Sequence, residues 1–183
     1  MEVKRVVMAA AKTLGIEDGV KAYFEDGEQT TQREAELLLH CFNLVEKEIA
    51  LDYIPLTMED AMRTSMGQID FDMLSCSPVR ILGVKDERGE ELAFELFPTC
   101  IRTKPGIVVI SYTYTPNEKG IDDESSFFSF TLFRAAVYGV LTEYCLAQGL
   151  LEEAPVWNKK YKKAIEAVCG MPASKRLPSR RWV

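Results

Sequence analysis

The chain has 183 residues, of which 47% are hydrophobic and 27% charged, and a formal net charge of −6. That length and balance suit one domain, or one domain with an inserted subdomain, able to bury a core without disulfide or metal staples. They exclude a chain disordered as a whole, and no apolar run approaches the roughly 18 residues that mark a membrane span.

The N-terminal Met1-Glu2-Val3-Lys4-Arg5 leads into an amphipathic stretch, unlike the apolar core of a signal peptide. Val3, Val6, Val7, Ala10 and Leu14 follow the spacing of a helical stripe, which Gly15 ends. Val20, Tyr23 and Phe24 add a turn or two, stopped at Asp26-Gly27. Thr31 and Glu34 have the spacing of a capping box for the next helix. Its apolar face is Ala35, Leu38, Phe42, Val45 and Ile49, with Leu39 beside them, and Pro55 ends it. Met58 to Met62 reads as a short helix or a loop.

From Gln68 the period falls to two. Ile69, Phe71 and Met73 alternate with polar residues. Val79–Val84 and Leu92–Phe97 flank the charged turn Asp86-Glu87-Arg88-Gly89 and read as a hairpin. Ile101–Thr103 is a third strand, and Ile107–Tyr114, rich in β-branched and aromatic residues, a fourth. Pro116–Glu124 is a polar linker, after which Ser125 or Ser126 can cap a helix. That helix carries a broad apolar face of Phe130, Phe133, Ala136, Val137, Val140, Leu141, Tyr144 and Cys145, closed by Gly149. Phe133, Val137, Leu141 and Tyr144 are expected to pack on Leu38, Phe42, Val45 and Ile49. A last helix takes Pro155 in its first turn, runs past Trp157, Tyr161, Ala164, Ile165 and Val168, and ends at Gly170. Met171–Val183 holds two prolines and four basic residues and cannot be a regular helix.

Reactive patterns are scarce. Five cysteines, Cys41, Cys76, Cys100, Cys145 and Cys169, are odd in number, widely spaced and without a Cys-x-x-Cys pair. They read as reduced cysteines packed as small hydrophobes in a cytosolic protein. The one histidine, His40, adjoins Cys41, but helix neighbours one apart do not face each other, so no Cys–His dyad is expected. No phosphate-binding loop, zinc-protease or nucleophile-elbow pattern occurs. Asp70 and Asp72 lie two apart on an expected strand and so share a face, as nuclease acids do. Asp122-Asp123-Glu124 offers further carboxylates for a magnesium ion. The bland alternatives, a polar strand face and a solvated linker, are favoured. Tyr112 and Tyr114 are read as packed on one sheet face against the helices, in preference to a platform for stacking bases, because an acidic body repels phosphates.

Charge is uneven. Residues 159–183 hold eight Lys/Arg and one acid, whereas 1–158 hold 14 Lys/Arg and 27 Asp/Glu. An acidic body with a basic end points to a tail with a specific docking place, not to a general nucleic-acid binder.

Several segments together resemble the head-to-tail adaptor, or connector, proteins of tailed bacteriophages and prophages. They are Leu96-Phe97-Pro98-Thr99-Cys100-Ile101-Arg102-Thr103, Val109–Pro116, the helix Ala135–Gly149 with its Tyr138-Gly139-Val140-Leu141-Thr142-Glu143-Tyr144 centre, Trp157-Asn158-Lys159-Lys160-Tyr161, and the closing Leu177–Trp182. The similarity runs over most of the chain from the second helix onward, as a pattern of helices and tail without a catalytic signature. It implies a non-enzymatic virion protein of the neck, assembled in the host cytoplasm, with no cofactor, catalytic residue or metal site. It also implies a ring, usually of twelve copies, beneath the portal. The ring extends the DNA channel, lets DNA pass without sequence-specific binding and meets a tail or stopper protein; no membrane is involved. The portal-binding residues it implies are Lys175, Arg176, Leu177, Pro178, Arg180, Arg181, Trp182 and Val183. The β region is larger than in the smallest members of that family.

The expected fold class is therefore α+β: a helical bundle with an inserted small β-sheet module and an extended C-terminal tail. Helices are placed in 1–66, the β module in 67–116, the completing helices in 117–170 and the basic tail in 171–183. Two rival functions remain: a small phage-encoded metal-dependent nuclease using Asp70, Asp72 and Asp122, and a monomeric regulatory binding module.

Overall fold

The computed structural model describes residues 1–127 and 130–170, without the side chains of residues 130 and 131. The fold is α+β, with five α-helices and two three-stranded antiparallel sheets among the described residues. The chain divides into two compact units. Residues 1–46 and those described from 118 onward carry the helices, and 47–117 carry the strands.

In the helical unit, α1 (Val3–Leu14) buries Val3, Val6, Val7, Ala10 and Ala11, the stripe its spacing predicts. Gly15 ends it in the left-handed region at φ +74°, where a side chain would be strained. α2 (Glu17–Asp26) buries only Val20. A 3₁₀ turn, Gln29–Thr31, leads into α3 (Gln32–Glu48). The Thr31/Glu34 capping box does not form. Thr31 lies inside the 3₁₀ turn, and its side chain fills the space over Gly19. The start of α3 is instead tied by Gln32 Nε2 and Tyr23 Oη, each donating to Glu36 Oε1 at 2.8 Å. α3 buries Ala35, Leu38, Cys41, Phe42 and Val45, then passes into a single π turn, Ile49–Tyr53, before Pro55.

α4 (Phe130–Ala147) is the centre of the helical unit. It buries Leu132, Ala135, Ala136, Val137, Val140, Leu141, Tyr144 and Cys145, so it is apolar around most of its circumference, as a central core helix is. Phe133 departs from expectation. It is only half-buried, with the Arg5 guanidinium 5.9 Å from its ring centre, and Leu132 takes the core position. α5 (Ala154–Cys169) packs along α4 with Pro155 in its first turn and Gly170 capping it at φ +52°.

The expected approach of α3 to α4 is realised at a glycine. A methyl group added at Gly139 of α4 would lie 2.7 and 3.0 Å from the two Val45 methyl carbons of α3, and 3.2 Å from Tyr161 of α5. Alanine ordinarily favours a helix interior by about 1 kcal/mol over glycine. Here Gly139→Ala should instead destabilise by about 1–3 kcal/mol, because β-branched Val45 cannot rotate aside in a packed core. Chemical denaturation checks this, and adding Val45→Ala to Gly139→Ala should recover part of the loss.

The strand unit has two sheets. β1 (Leu56–Thr64), β6 (Gly106–Tyr114) and β3 (Pro78–Asp86) form one, in the order β1-β6-β3. β2 (Gln68–Asp70), β5 (Cys100–Arg102) and β4 (Glu95–Leu96) form the other, in the order β2-β5-β4. They share a core of Ile69, Leu74, Val84, Ile101, Val108, Ile110 and Tyr112, with Met58, Met62, Phe71, Ile81 and Phe94 packed round it.

Three expectations change here. The segment 58–62 is neither helix nor loop but the middle of β1, paired residue for residue with β6 from Leu56↔Tyr114 to Thr64↔Gly106. Nine cross-strand partners outweigh the helix propensity of Met, Glu and Ala. The strand-bearing unit consequently spans 47–117, beginning earlier than the expected 67–116. The turn at Asp86–Gly89 forms, with the Gly89 N–H donating to the Asp86 carbonyl, but the hairpin stops after Leu92 N–H meets the Val84 carbonyl. β3 is irregular between Ile81 and Gly83, which breaks the edge a longer hairpin needs, and Glu95–Leu96 pairs with β5 instead. Finally, Ile69, Phe71 and Met73 do not share one strand, since β2 ends at Asp70 and Phe71–Met73 is a 3₁₀ turn.

Candidate partner-binding surfaces

The residues expected to hold the portal, Lys175, Arg176, Leu177, Pro178, Arg180, Arg181, Trp182 and Val183, lie outside the described residues. The chain leads toward them through α5. That helix buries Ala154, Tyr161 and Ile165 and exposes Lys159, Lys160, Lys162 and Lys163. Lys160 Nζ sits 3.9 Å from the Trp157 ring centre, and that ring leans on Tyr138 at 5.9 Å and 31°. Among the described residues none of the four lysines pairs with a carboxylate. The solvent face of α5 thus carries four lysines against one exposed acid, Glu166.

The strand unit carries two apolar grooves, one on either side of β3. One, about 480 Å³, is lined by Ala50, Leu51, Pro55, Val79, Leu82 and Tyr114. The other, about 570 Å³, is lined by Phe71, Val79, Ile81, Phe94, Leu96 and Phe97. Val79, Leu82 and Leu96 are more than half exposed at 53, 51 and 62%, and exposed Arg80 lines both grooves, with Thr57 and Thr113 in the first.

The candidate reactive groups are dispersed. Asp70 closes β2 and accepts from Gln68 Nε2 at 2.9 Å, while Asp72 sits in the following 3₁₀ turn, so they are not on one strand face. Asp122 belongs to the helical unit. Its neighbours have structural work. Asp123 Oδ2 accepts from the Gly120 N–H at 2.7 Å, and Glu124 Oε2 meets the Met1 ammonium at 2.7 Å. No group of three His, Cys, Asp or Glu that could hold a metal ion occurs among the described residues. His40 is exposed and Cys41 buried. Burial and the nearby Glu143 carboxylate push the Cys41 thiol up to about 12, the opposite of an activated nucleophile. All five cysteines are free thiols. Tyr112 is fully buried between the two sheets, so it offers no face to a base, and the sheet face it belongs to packs on the second sheet.

Two buried polar residues of α3 went unread in the sequence. Asn43 donates through Nδ2 to the Lys119 carbonyl at 3.0 Å and accepts the Lys119 N–H at 2.7 Å, in the manner of a backbone partner. Glu46, 3% exposed, accepts from Ser125 Oγ and the Ser126 N–H, both at 2.7 Å. The linker 117–126 is therefore latched along α3. The signal was present as two polar residues on the apolar face of a helix, a position where buried polar groups almost always have a partner.

No protein-family model and no curated protein sequence matches the chain. No described helix is long and apolar enough to cross a membrane.

Proposed function

We propose that the protein is a non-enzymatic subunit of a phage neck, forming a ring that joins the portal to the tail or stopper protein and extends the DNA channel. The observation that carries this reading is the order of parts. Helices from both ends of the chain form one unit, a two-sheet module is placed between them in sequence, and the basic helix α5 leads into a proline-bearing basic segment. That order is the one the resemblance to connector proteins rests on. An acidic body suits a channel through which DNA must slide, since like charge prevents tight phosphate contact. The cationic tail suits a carboxylate-bearing groove on a partner, where arginine makes paired hydrogen bonds and tryptophan supplies apolar area.

Two measurements with the portal test this together. Cryo-imaging of the mixture should show a closed ring of this chain against the portal; free monomers alone would refute the reading. Deleting Leu177–Val183 should leave the melting temperature nearly unchanged and weaken portal binding at least tenfold, about 1.4 kcal/mol. Undiminished binding by the truncated chain would remove the tail from the mechanism.

A further inference from the structure

The first sheet has two outer edges, and they differ. β3 begins at a proline, is irregular between Pro78 and Arg80 and again between Ile81 and Gly83, and has its far end occupied by Glu90–Leu92. Those are the devices by which sheet edges refuse further strands. β1 has none of them. It is nine residues long, has unbroken register with β6 and holds no proline. Among the described residues no hydrogen bond uses the backbone groups on its other side. Its side chains alternate strictly, with Thr57, Glu59, Ala61 and Arg63 exposed.

The exposed set is self-complementary. Antiparallel pairing of β1 with a second copy, with the two-fold axis at Ala61, places residue 59 opposite residue 63 of the other strand, and does so twice. Each Glu59 then faces an Arg63 at the short cross-strand distance where opposite charges attract, with the small Ala61 at the axis. Arg63 has no ion-pair partner among the described residues. Moving the axis to residue 59 or 63 sets Glu59 against Glu59 or Arg63 against Arg63, and moving it to residue 60 sets Glu59 against Ala61. The charges therefore select one register out of those the backbone allows.

We propose that β1 is a dimerisation edge. Two copies of the free protein pair through Leu56–Thr64 about a two-fold axis at Ala61, joining their three-stranded sheets into one of six strands. This contact is isologous and closes on itself, so it is distinct from the heterologous contacts of a ring, and it does not depend on the portal-binding reading.

The test uses the full chain without the portal. Sedimentation equilibrium over a range of concentrations should show a dimer. Glu59→Arg, or Arg63→Glu, should weaken it at least tenfold by putting like charges at both cross-strand pairs. The double variant Glu59→Arg/Arg63→Glu should return to within about threefold of the parent. Ala61→Cys should cross-link to itself under oxidised glutathione, since residues directly opposite fall within disulfide reach. Thr57→Cys should not, because its two copies would lie eight residues, about 26 Å, apart. A parent that stays monomeric, a dimer indifferent to the single charge reversals, a double variant that does not recover, or cross-linking at residue 57 in place of 61 each overturns the proposal. Ring formation with the portal is read separately, so either reading can fail alone.

Discussion

Replacing Phe42 by alanine should lower the unfolding free energy by about 3–5 kcal/mol, the largest loss from any single truncation on α3. Phe42 is 1% exposed and lies on the buried face of α3 with Leu38, Cys41 and Val45. The void cannot collapse easily. Close by, Val45 already sits against Gly139 with no slack, so α3 has little freedom to move inward. Phe133→Ala is the internal comparison. Both are phenylalanines on long helices of the same unit, but Phe133 is only half-buried beneath Arg5 and has water on one side. Its truncation removes less buried area and leaves no closed cavity, so it should cost clearly less. Equal losses from the two substitutions, measured by urea denaturation, would contradict the packing of α3 described above.

The contrast between these two residues shows what the sequence made legible. Helical periodicity located α1, α3, α4 and α5 to within a few residues, because an apolar stripe at 3.6-residue spacing fits a helix and little else. Gly15, Gly27 and Gly170 take the positive φ that ends a helix. Periodicity became uninformative where a helix is apolar all round. On α4 every register of the stripe looks acceptable, and only neighbouring helices decide that Leu132 goes inward and Phe133 does not. The strands were legible in proportion to how much of their identity is local. β6 carries its β-branched and aromatic residues in its own sequence, whereas β1, Leu-Thr-Met-Glu-Asp-Ala-Met-Arg-Thr, is a strand only because β6 lies beside it. Pairing between segments so far apart along the chain leaves no mark in a local window. The abandoned hairpin at Asp86–Gly89 has the same cause: the turn is local and formed, but the destination of the second arm is set by β5.

Legibility of the surfaces follows similar lines. The lysine-rich face of α5 is visible as composition, because exposed lysines need no partner to be placed. The apolar patch around β3 leaves no mark in the local pattern, since Val79, Leu82 and Leu96 fit a strand whether or not they are buried, and their exposure appears only once the sheets are assembled. Glu59 falls in the segment 58–62, expected as a short helix or a loop, and its complementarity with Arg63 about Ala61 exists only once the strand is extended.

Removing the Asp60 carboxylate, as Asp60→Ala, should cost about 2–3 kcal/mol, because three donors lose their acceptor and one of them is fully buried. The Tyr112 hydroxyl donates to Asp60 Oδ2 at 2.8 Å, the Ser75 N–H donates to the same oxygen at 2.7 Å, and Ser75 Oγ donates to Oδ1 at 2.8 Å. The Cys76 N–H in turn donates to the Tyr112 hydroxyl at 3.1 Å. This chain of bonds fastens the 71–77 loop to β1 and β6. Burial pushes the Asp60 carboxyl up, but the hydrogen bonds from Ser75 and Tyr112 outweigh it and hold the carboxyl below its ordinary value of 3.8. A folded pKa below the unfolded one gives stability that is full above the ordinary carboxylate range and is lost as pH falls through the folded pKa. The gap between the parent and Asp60→Ala should therefore be widest near neutral pH and narrow below pH 3.8. The tyrosine has the opposite sign. Burial, with the hydrogen bond to Asp60 second, pushes Tyr112 up from 10.0 to about 12. Its contribution is full below pH 10 and falls away as pH rises toward about 12. Tyr112→Phe should cost about 1 kcal/mol near neutrality and remove this alkaline loss. Unfolding free energies for the parent and both variants, measured from about pH 3 to about pH 11, check all three statements. An acid limb that is as steep in Asp60→Ala as in the parent would show that the carboxylate is solvated and that the loop is held by its apolar contacts alone.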